Sequence, residues 1–390
     1  NKNIFMNPFE LYNPTKLIFG TESFLRLSYE IPEGAKILMT YGGGSIKSNG
    51  VYDQVLAQLK DFQVLEFGGI EANPTFETLS KALEIIRGEG ITFMLAVGGG
   101  SVIDGTKFLA AAAYFEGDSW DILKKGIRVS KAMPFGTVLT LPATGSEMNS
   151  GAVVTRKSTG EKLGMGSPVL FPKFSCLNPE VIKSLPQRQL KNGIVDAFTH
   201  VLEQYMTYPI GAELQDRISE SILKTLIDIA PKVIFEPYNH SIASNFMWCC
   251  TMALNGLIQK GVPTDWATHM IGHELTAKYE IDHAMTLAII FPSLWRYKFE
   301  NKKEKLAQYA ERIFNVKTGS TEENAEQAIQ KTIKFLHSID VKTKLSEYTE
   351  SYNGFSDEVK QTFEARNWLA LGERKDITPN DVKKIVEQSY

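Results

Sequence analysis

The chain holds six histidines in 390 residues, and three of them fall in one stretch, DWATHMIGHELTAKYEIDHAM, at 269, 273 and 283. Imidazoles bind borderline metals as neutral ligands and carry protons near neutral pH. His273-Glu274 opens like the H-E-x-x-H helix of zinc proteases. That motif needs a second histidine at 277, where Ala277 stands, so the protease reading fails. Upstream, DAFTHVLEQYM places Asp196 and His200 four apart, on one face of a helix, with Glu203 a turn later. A bland alternative is a pair bridging a helix surface. Ile194, Val195, Phe198 and Val201 make the surroundings apolar, however, and burying an Asp–His pair without a partner is costly. A cation removes that cost. One carboxylate from Asp196 with imidazoles from His200, His269 and His283 makes a four-ligand set for Fe(II) or Zn(II), too poor in oxygen for Ca(II) or Mg(II). His273, one turn beyond His269, is either a further ligand or a proton carrier beside the metal. His240 in EPYNHS and His337 in KFLHSID stand alone and read as ordinary.

Two glycine-rich turns suggest phosphate. GGGSVIDGTK, from Gly98, follows an apolar run and opens a helix. Glycines let backbone N–H groups approach an anion, and a helix N-terminus adds unpaired donors and positive partial charge. Gly98, Gly99, Gly100 and Ser101 are the candidates; the bland alternative is a tight turn needing positive φ. The pattern is not G-x-G-x-x-G. YGGGSIKSNG repeats the device at Gly42, Gly43, Gly44, Ser45 and Lys47. NAD-selective sites often carry an acid after such a strand to hold the ribose 2′-OH. This turn has no carboxylate, and its donors and cation suit a 2′-phosphate, which favours NADP. LPATGSE, from Leu141, is a third small-residue loop after a strand, weak evidence by itself.

These groups need a scaffold. KILMTY, QVLEF, TFMLAV and FGTVLTL read as strands, with helices at GVYDQVLAQLKDF, TFETLSKALEIIRGEG (closed by Gly88) and SVIDGTKFLAAAAYF. The alternation predicts a parallel sheet with helices on both faces, its ligands beyond the carboxyl ends of the strands. From about residue 184 long 3.6-period patterns take over, so the expectation is an α/β domain over 1–184 and an all-helical domain over 185–390. Net charge is −3, which excludes an electrostatic case for nucleic acid. No apolar run spans a bilayer and no secretory pattern opens the chain. Cys176, Cys249 and Cys250 lack the spacing of a disulfide framework and read as buried hydrophobes. A cytoplasmic protein is expected.

GGGSVID, PATGSE, DAFTHVLEQY and THMIGHELTAKYEIDHAMTLAIIFP together resemble the iron-containing alcohol dehydrogenases, within them the NADPH-dependent butanol dehydrogenase and aldehyde reductase branch. The resemblance runs over essentially the whole chain. It implies a dinucleotide-binding domain followed by a helical metal domain, the dehydroquinate synthase-like plan, with chemistry in the cleft between them. It implies Asp196, His200, His269 and His283 as ligands of iron or zinc, and His273 near substrate and nicotinamide. The Gly98–Ser101 turn would hold the pyrophosphate, and Gly42, Gly44, Ser45 and Lys47 the adenosine 2′-phosphate. Thr140, Leu141 and Thr144 would line the cofactor, and Lys162 would reach its ribose. It further implies NADP(H), a small aldehyde or alcohol such as butanal or butanol, and a homodimer. Two departures stand out. Asn178 replaces the usual Asp before Pro, a local capping difference, and Gly42 replaces the commoner acid, which favours NADP. Three rivals are a metal-dependent lyase of the dehydroquinate synthase type, a metallohydrolase and a non-catalytic nucleotide or metal sensor. Steady nicotinamide consumption disposes of all three.

Overall fold

A computed structural model describes residues 5–390 and divides the chain into two compact units. One comprises Tyr12–Pro186 with Tyr238–Asn255; the other takes the segment up to Leu11, Gln187–Pro237 and Gly256–Tyr390. The expected domains were contiguous, and the units are not.

The first unit carries eight strands: β1 (Lys16–Phe19), β2 (Lys36–Tyr41), β3 (Gln63–Phe67), β4 (Phe93–Gly99), β5 (Phe135–Leu141), β6 (Gly151–Arg156), β7 (Glu161–Gly166) and β8 (Phe174–Leu177). Six form one parallel sheet in the order β1-β8-β5-β4-β2-β3; β6 and β7 make an antiparallel hairpin. The chain runs outward from β2 to β3, then returns to β4 on the other side of β2. That reversal creates a switch point between β2 and β4, where open parallel sheets bind ligands. FMLAV in β4 and FGTVLT in β5 are buried throughout, as central parallel strands covered on both faces must be. The helix Phe76–Gly88 turns Leu79, Ala82, Leu83 and Ile86 inward at helical spacing, and Thr75 caps it by accepting from Thr78 N. Gly88 is its last helical residue, not its stop. The left-handed glycine is Gly90, at φ +65. Asn178 Oδ1 accepts from Glu180 N, capping the short Pro179–Ser184 helix, while Nδ2 donates to Thr21 O.

The helix His240–Ala253, expected with the helical domain, belongs to this sheet-bearing unit. Its Thr251 hydroxyl donates to Glu147 Oε1 at 2.6 Å, and Cys249 and Cys250 are buried. The other unit has no named strand among its described residues. It is built from helices including Gln187–Tyr205, Ala267–Tyr279 and His283–Tyr297. Asn7 N donates to Gly261 O, which ties the N-terminal segment to it.

Candidate metal centre and nucleotide turns

One face of the Gln187–Tyr205 helix organises the metal-ligand candidates. Arg188, Asn192, Asp196 and His200 succeed one another at i, i+4 spacing, and Glu203 continues the stripe. Asp196 Oδ1 lies 3.7 Å from His200 Nε2, 3.9 Å from His269 Nε2 and 4.0 Å from His283 Nε2. These separations are too long for hydrogen bonds. They approach the edge of about 3.4 Å expected of a tetrahedron with bonds of ~2.1 Å. Asp196 Oδ1 and His269 Nε2 are buried without a hydrogen-bond partner. Ligand atoms of Asp196, His200 and His269 all lie within 4.8 Å of one another, and a divalent cation among them satisfies both orphaned atoms; with His283, which reaches the group at Asp196, the donor chemistry suits Fe(II) or Zn(II).

The side chains polarise one another strongly. Burial works to raise the Asp196 carboxyl, but His200, His269 and His283 hold it well below the usual carboxylate range. Burial pushes the His200 imidazole down to about 4, against the pull of Asp196. His269 meets the same burial, yet the charges of Glu203 and Asp196, with the Glu203 bond, leave it pushed up to about 9.

Each segment bearing a candidate ligand has its own anchor. Arg188 donates to both Asp282 oxygens, at 2.6 and 2.7 Å, and Asn192 donates to Oδ2 at 3.0 Å. The Arg188 bonds, with burial opposing them, hold the Asp282 carboxyl low, and His283 follows it as the first residue of its helix. Glu203 holds the start of the Ala267–Tyr279 helix. Lys302, buried, donates to Asp265 Oδ2 at 2.8 Å and to Glu373 at 3.1 Å, while Asp265 Oδ1 accepts from Ala267 N. Between these anchors Trp266 sits at φ +66, a backbone costing a bulky residue about 1–3 kcal/mol. Its ring lies edge-on to His269 with centroids 5.5 Å apart. His273 is half-buried, its ring 4.8 Å from that of His283. It is not part of the ring about Asp196 Oδ1. His240 pairs with the Tyr238 hydroxyl and His337 with Thr343, both outside the cluster.

In the sheet-bearing unit the sheet order sets the three small-residue loops side by side, after β5, β4 and β2. Gly98, Gly99 and Gly100 do not have positive φ, so turn geometry is not their reason. A Cβ on Gly98 would come within 2.5 Å of Val102 Cγ2, and one on Gly100 would fall on Thr144 Oγ1. Their bareness lets the Gly100–Ala112 helix start hard against Leu141 and Thr144. No side chain caps that helix start. Thr140, next to last in β5, is buried, and Thr144 Oγ1 accepts from Ser146 N.

Asn73, unremarked in the sequence, gathers two distant candidates. Its N–H donates to Ser101 Oγ at 3.3 Å and its Oδ1 accepts from Lys162 Nζ at 2.9 Å. Asp104 and Lys107 were also missed. Asp104 accepts from Ser146 Oγ and Val153 N; Lys107 donates to Ser146, Asn149 and Gly151 O. They pin the loop after β5 and the β6–β7 hairpin to the Gly100–Ala112 helix.

The turn after β2 has Gly44 at φ +99 and a Gly42 whose Cβ would press on Ile70 O at 3.2 Å. Ser45 opens a short helical turn, and Lys47 Nζ lies over the rings of Tyr52 and Tyr41, at 4.8 and 5.2 Å. The turn itself lacks an acid, but β3 supplies one nearby: Glu66 accepts from the hydroxyls of Tyr41 and Tyr52. The absence of a carboxylate therefore holds for the turn and not for its surroundings.

Sequence models of two families match the chain: "Iron-containing alcohol dehydrogenase" over residues 14–179, and "Fe-containing alcohol dehydrogenase family, C-terminal" over residues 191–390. The chain is 50% identical to the NADPH-dependent aldehyde reductase YqhD of Escherichia coli, covering 98% of this chain and 99% of that one. It is 42% identical to probable NADH-dependent butanol dehydrogenase 1 of Bacillus subtilis, covering 98% and 100%. The crystal structure of NADH-dependent butanol dehydrogenase A from Thermotoga maritima superimposes with a TM-score of 0.92 at 34% identity, covering 99% of each chain.

Proposed function

The chain belongs to the iron-containing alcohol dehydrogenase family, and on that premise we propose that it reduces small aliphatic aldehydes such as butanal with NADPH. It is an oxidoreductase of the alcohol–aldehyde couple. The observation that carries the reading is the convergence of three imidazole Nε2 atoms on one orphaned carboxylate oxygen, Asp196 Oδ1.

Asp196, His200, His269 and His283 would hold one divalent ion, Fe(II) or Zn(II). Such an ion supplies Lewis acidity toward a carbonyl oxygen, and NADPH supplies the hydride. The chain's part is to bind, orient and move a proton. The start of the Gly100–Ala112 helix offers its N–H groups to the pyrophosphate, with Ser101 at that end. Gly42, Gly44, Ser45 and Lys47 receive the 2′-phosphate, where Lys47 contributes a cation. Thr140, Leu141 and Thr144 line the cofactor, and Lys162, oriented by Asn73, reaches its ribose. Reduction leaves the product oxygen in need of a proton. His273, outside the ligand ring and half-exposed, is suited to pass one from solvent. No helix among the described residues is long and apolar enough to cross a membrane. The reading is completed by a homodimer acting in the cytoplasm, with the sheet-bearing unit as its nucleotide domain and the helical unit as its metal domain.

The test is nicotinamide oxidation with butanal, run with NADPH and NADH in parallel on protein loaded with Fe(II) or Zn(II). Turnover favouring NADPH is expected. Turnover favouring NADH retains the enzyme class and removes the cofactor assignment. Absence of turnover with either, on metal-loaded protein, removes the reductase reading.

A further inference from the structure

The four ligands leave Glu203 over. It is buried, at 4% exposure, and every polar atom it presents to the Ala267–Tyr279 helix is engaged. Oε1 accepts from Thr268 N at 2.8 Å; Oε2 accepts from His269 N at 3.3 Å and from His269 Nδ1–H. Its backbone carbonyl accepts from Asp265 N at 2.9 Å. Residues 265–269 are thus wrapped around one residue of another helix. The N-cap Trp266 offers no side-chain cap of its own, and Asp265, whose other oxygen is taken by Lys302, accepts from Ala267 N. Glu203 therefore supplies the next two amides with their acceptor.

The same carboxylate decides the state of the imidazole. In the neutral ring, the form that binds a metal, a proton held on Nδ1 by Glu203 leaves the lone pair on Nε2, the nitrogen facing Asp196 Oδ1. His200 differs: its Nδ1 is buried without a hydrogen-bond partner. The Glu203 side chain thus holds the tautomer and ring plane of His269.

We propose that Glu203 is a positioning residue for the metal centre, acting through His269: it locks the Nδ1–H tautomer and seats the helix start so that Nε2 is presented to the ion. The inference rests on the ligand reading above. Outer carboxylates of this kind typically change metal affinity 10–100-fold.

The test titrates apoprotein with Zn(II) against a competing chelator, in wild type, Glu203→Gln, His269→Ala and the double variant, with the thermal midpoint of each apoprotein recorded. Expected is a 10-fold or greater loss of affinity in Glu203→Gln, and less than twofold further loss when it is added to His269→Ala. Unchanged affinity in Glu203→Gln overturns the inference, as does the same loss in both backgrounds, which marks a general structural support. Wild type that binds no Zn(II) sinks the ligand set and this inference with it, a distinguishable result. Should Glu203→Gln fail to fold, ring ¹⁵N spectra of Zn(II)-loaded wild type decide the matter. A protonated Nδ1 on His269 is expected, and coordination through Nδ1 overturns the inference.

Discussion

The Lys107 ammonium donates to the Ser146 hydroxyl at 2.8 Å, and both residues are buried. Burial pushes this lysine down to about 8 from an ordinary 10.5, although Asp104 and Glu147 pull the other way. The folded protein thus releases the proton earlier than the unfolded chain. Between pH 8 and 10.5 the unfolded state binds more protons, so stability from this group rises with pH. The full shift corresponds to about 3 kcal/mol. Lys107→Met should be less stable at pH 7, since it removes three hydrogen bonds from buried surroundings, and its deficit against wild type should widen from pH 8 to 10. Urea unfolding at stepped pH measures the gap; a gap that stays flat contradicts the assignment.

The glycines of the two turns separate by what surrounds them. Gly43 has nothing within 4 Å of an added Cβ and no positive φ, so Gly43→Ala should leave stability and NADPH binding within about twofold of wild type. A Cβ at Gly100 meets Thr144 Oγ1, and relieving it must push the loop after β5 away. Overpacking of this sort costs roughly 1–3 kcal/mol. Gly100→Ala should lower the thermal midpoint and weaken NADPH binding together. Equal tolerance at both positions, by fluorescence titration, argues that the loop is not held by this approach.

The alternation of strands and helices was legible because central parallel strands are continuous apolar runs. KLIF and FSCL, four residues each, were too short to stand out, and the EKLGMG strand that carries Lys162 has neither an apolar run nor a clean alternation. Periodicity identified His240–Ala253 as a helix but carries no information on which sheet or bundle receives it. The candidate ligands were legible from spacing within 196–200 and from the histidine cluster. Glu203 was visible as a position, but its bond to His269 spans 66 residues and only the fold reveals it. Asn73 and Lys107 belong to the same class: ordinary residues locally, made important by what the sheet order brings beside them.

Cofactor choice should respond to two side chains of opposite sign near the β2 turn. Lys47, the proposed 2′-phosphate contact, lies over the Tyr52 ring, and Glu66 lies in the same patch, held by two tyrosine hydroxyls. Lys47→Ala should raise KM for NADPH about tenfold, the size of one charge-assisted phosphate contact, and leave KM for NADH nearly unchanged. Glu66→Gln should shift preference the other way, toward NADPH, by relieving a like charge. Parallel KM measurements with both nucleotides provide the check. If Lys47→Ala weakens NADH equally, the lysine is not reading the 2′-phosphate.

His283 and His273 have touching rings but different geometry. His283 points Nε2 at Asp196 Oδ1 across 4.0 Å, and its position is fixed by the Asp282 grip on Arg188 and Asn192. His273 lies outside that ring and keeps access to solvent. His283→Ala should lose metal and activity together, because the remaining three ligands close less of the coordination sphere. His273→Ala should keep its metal and slow turnover about 100-fold, the usual scale for a lost proton carrier. Metal content after gel filtration, measured beside kcat on the same samples, separates the two roles. Full metal in His283→Ala removes it from the ligand set. Metal loss in His273→Ala moves that residue into the coordination sphere and leaves the proton to another group.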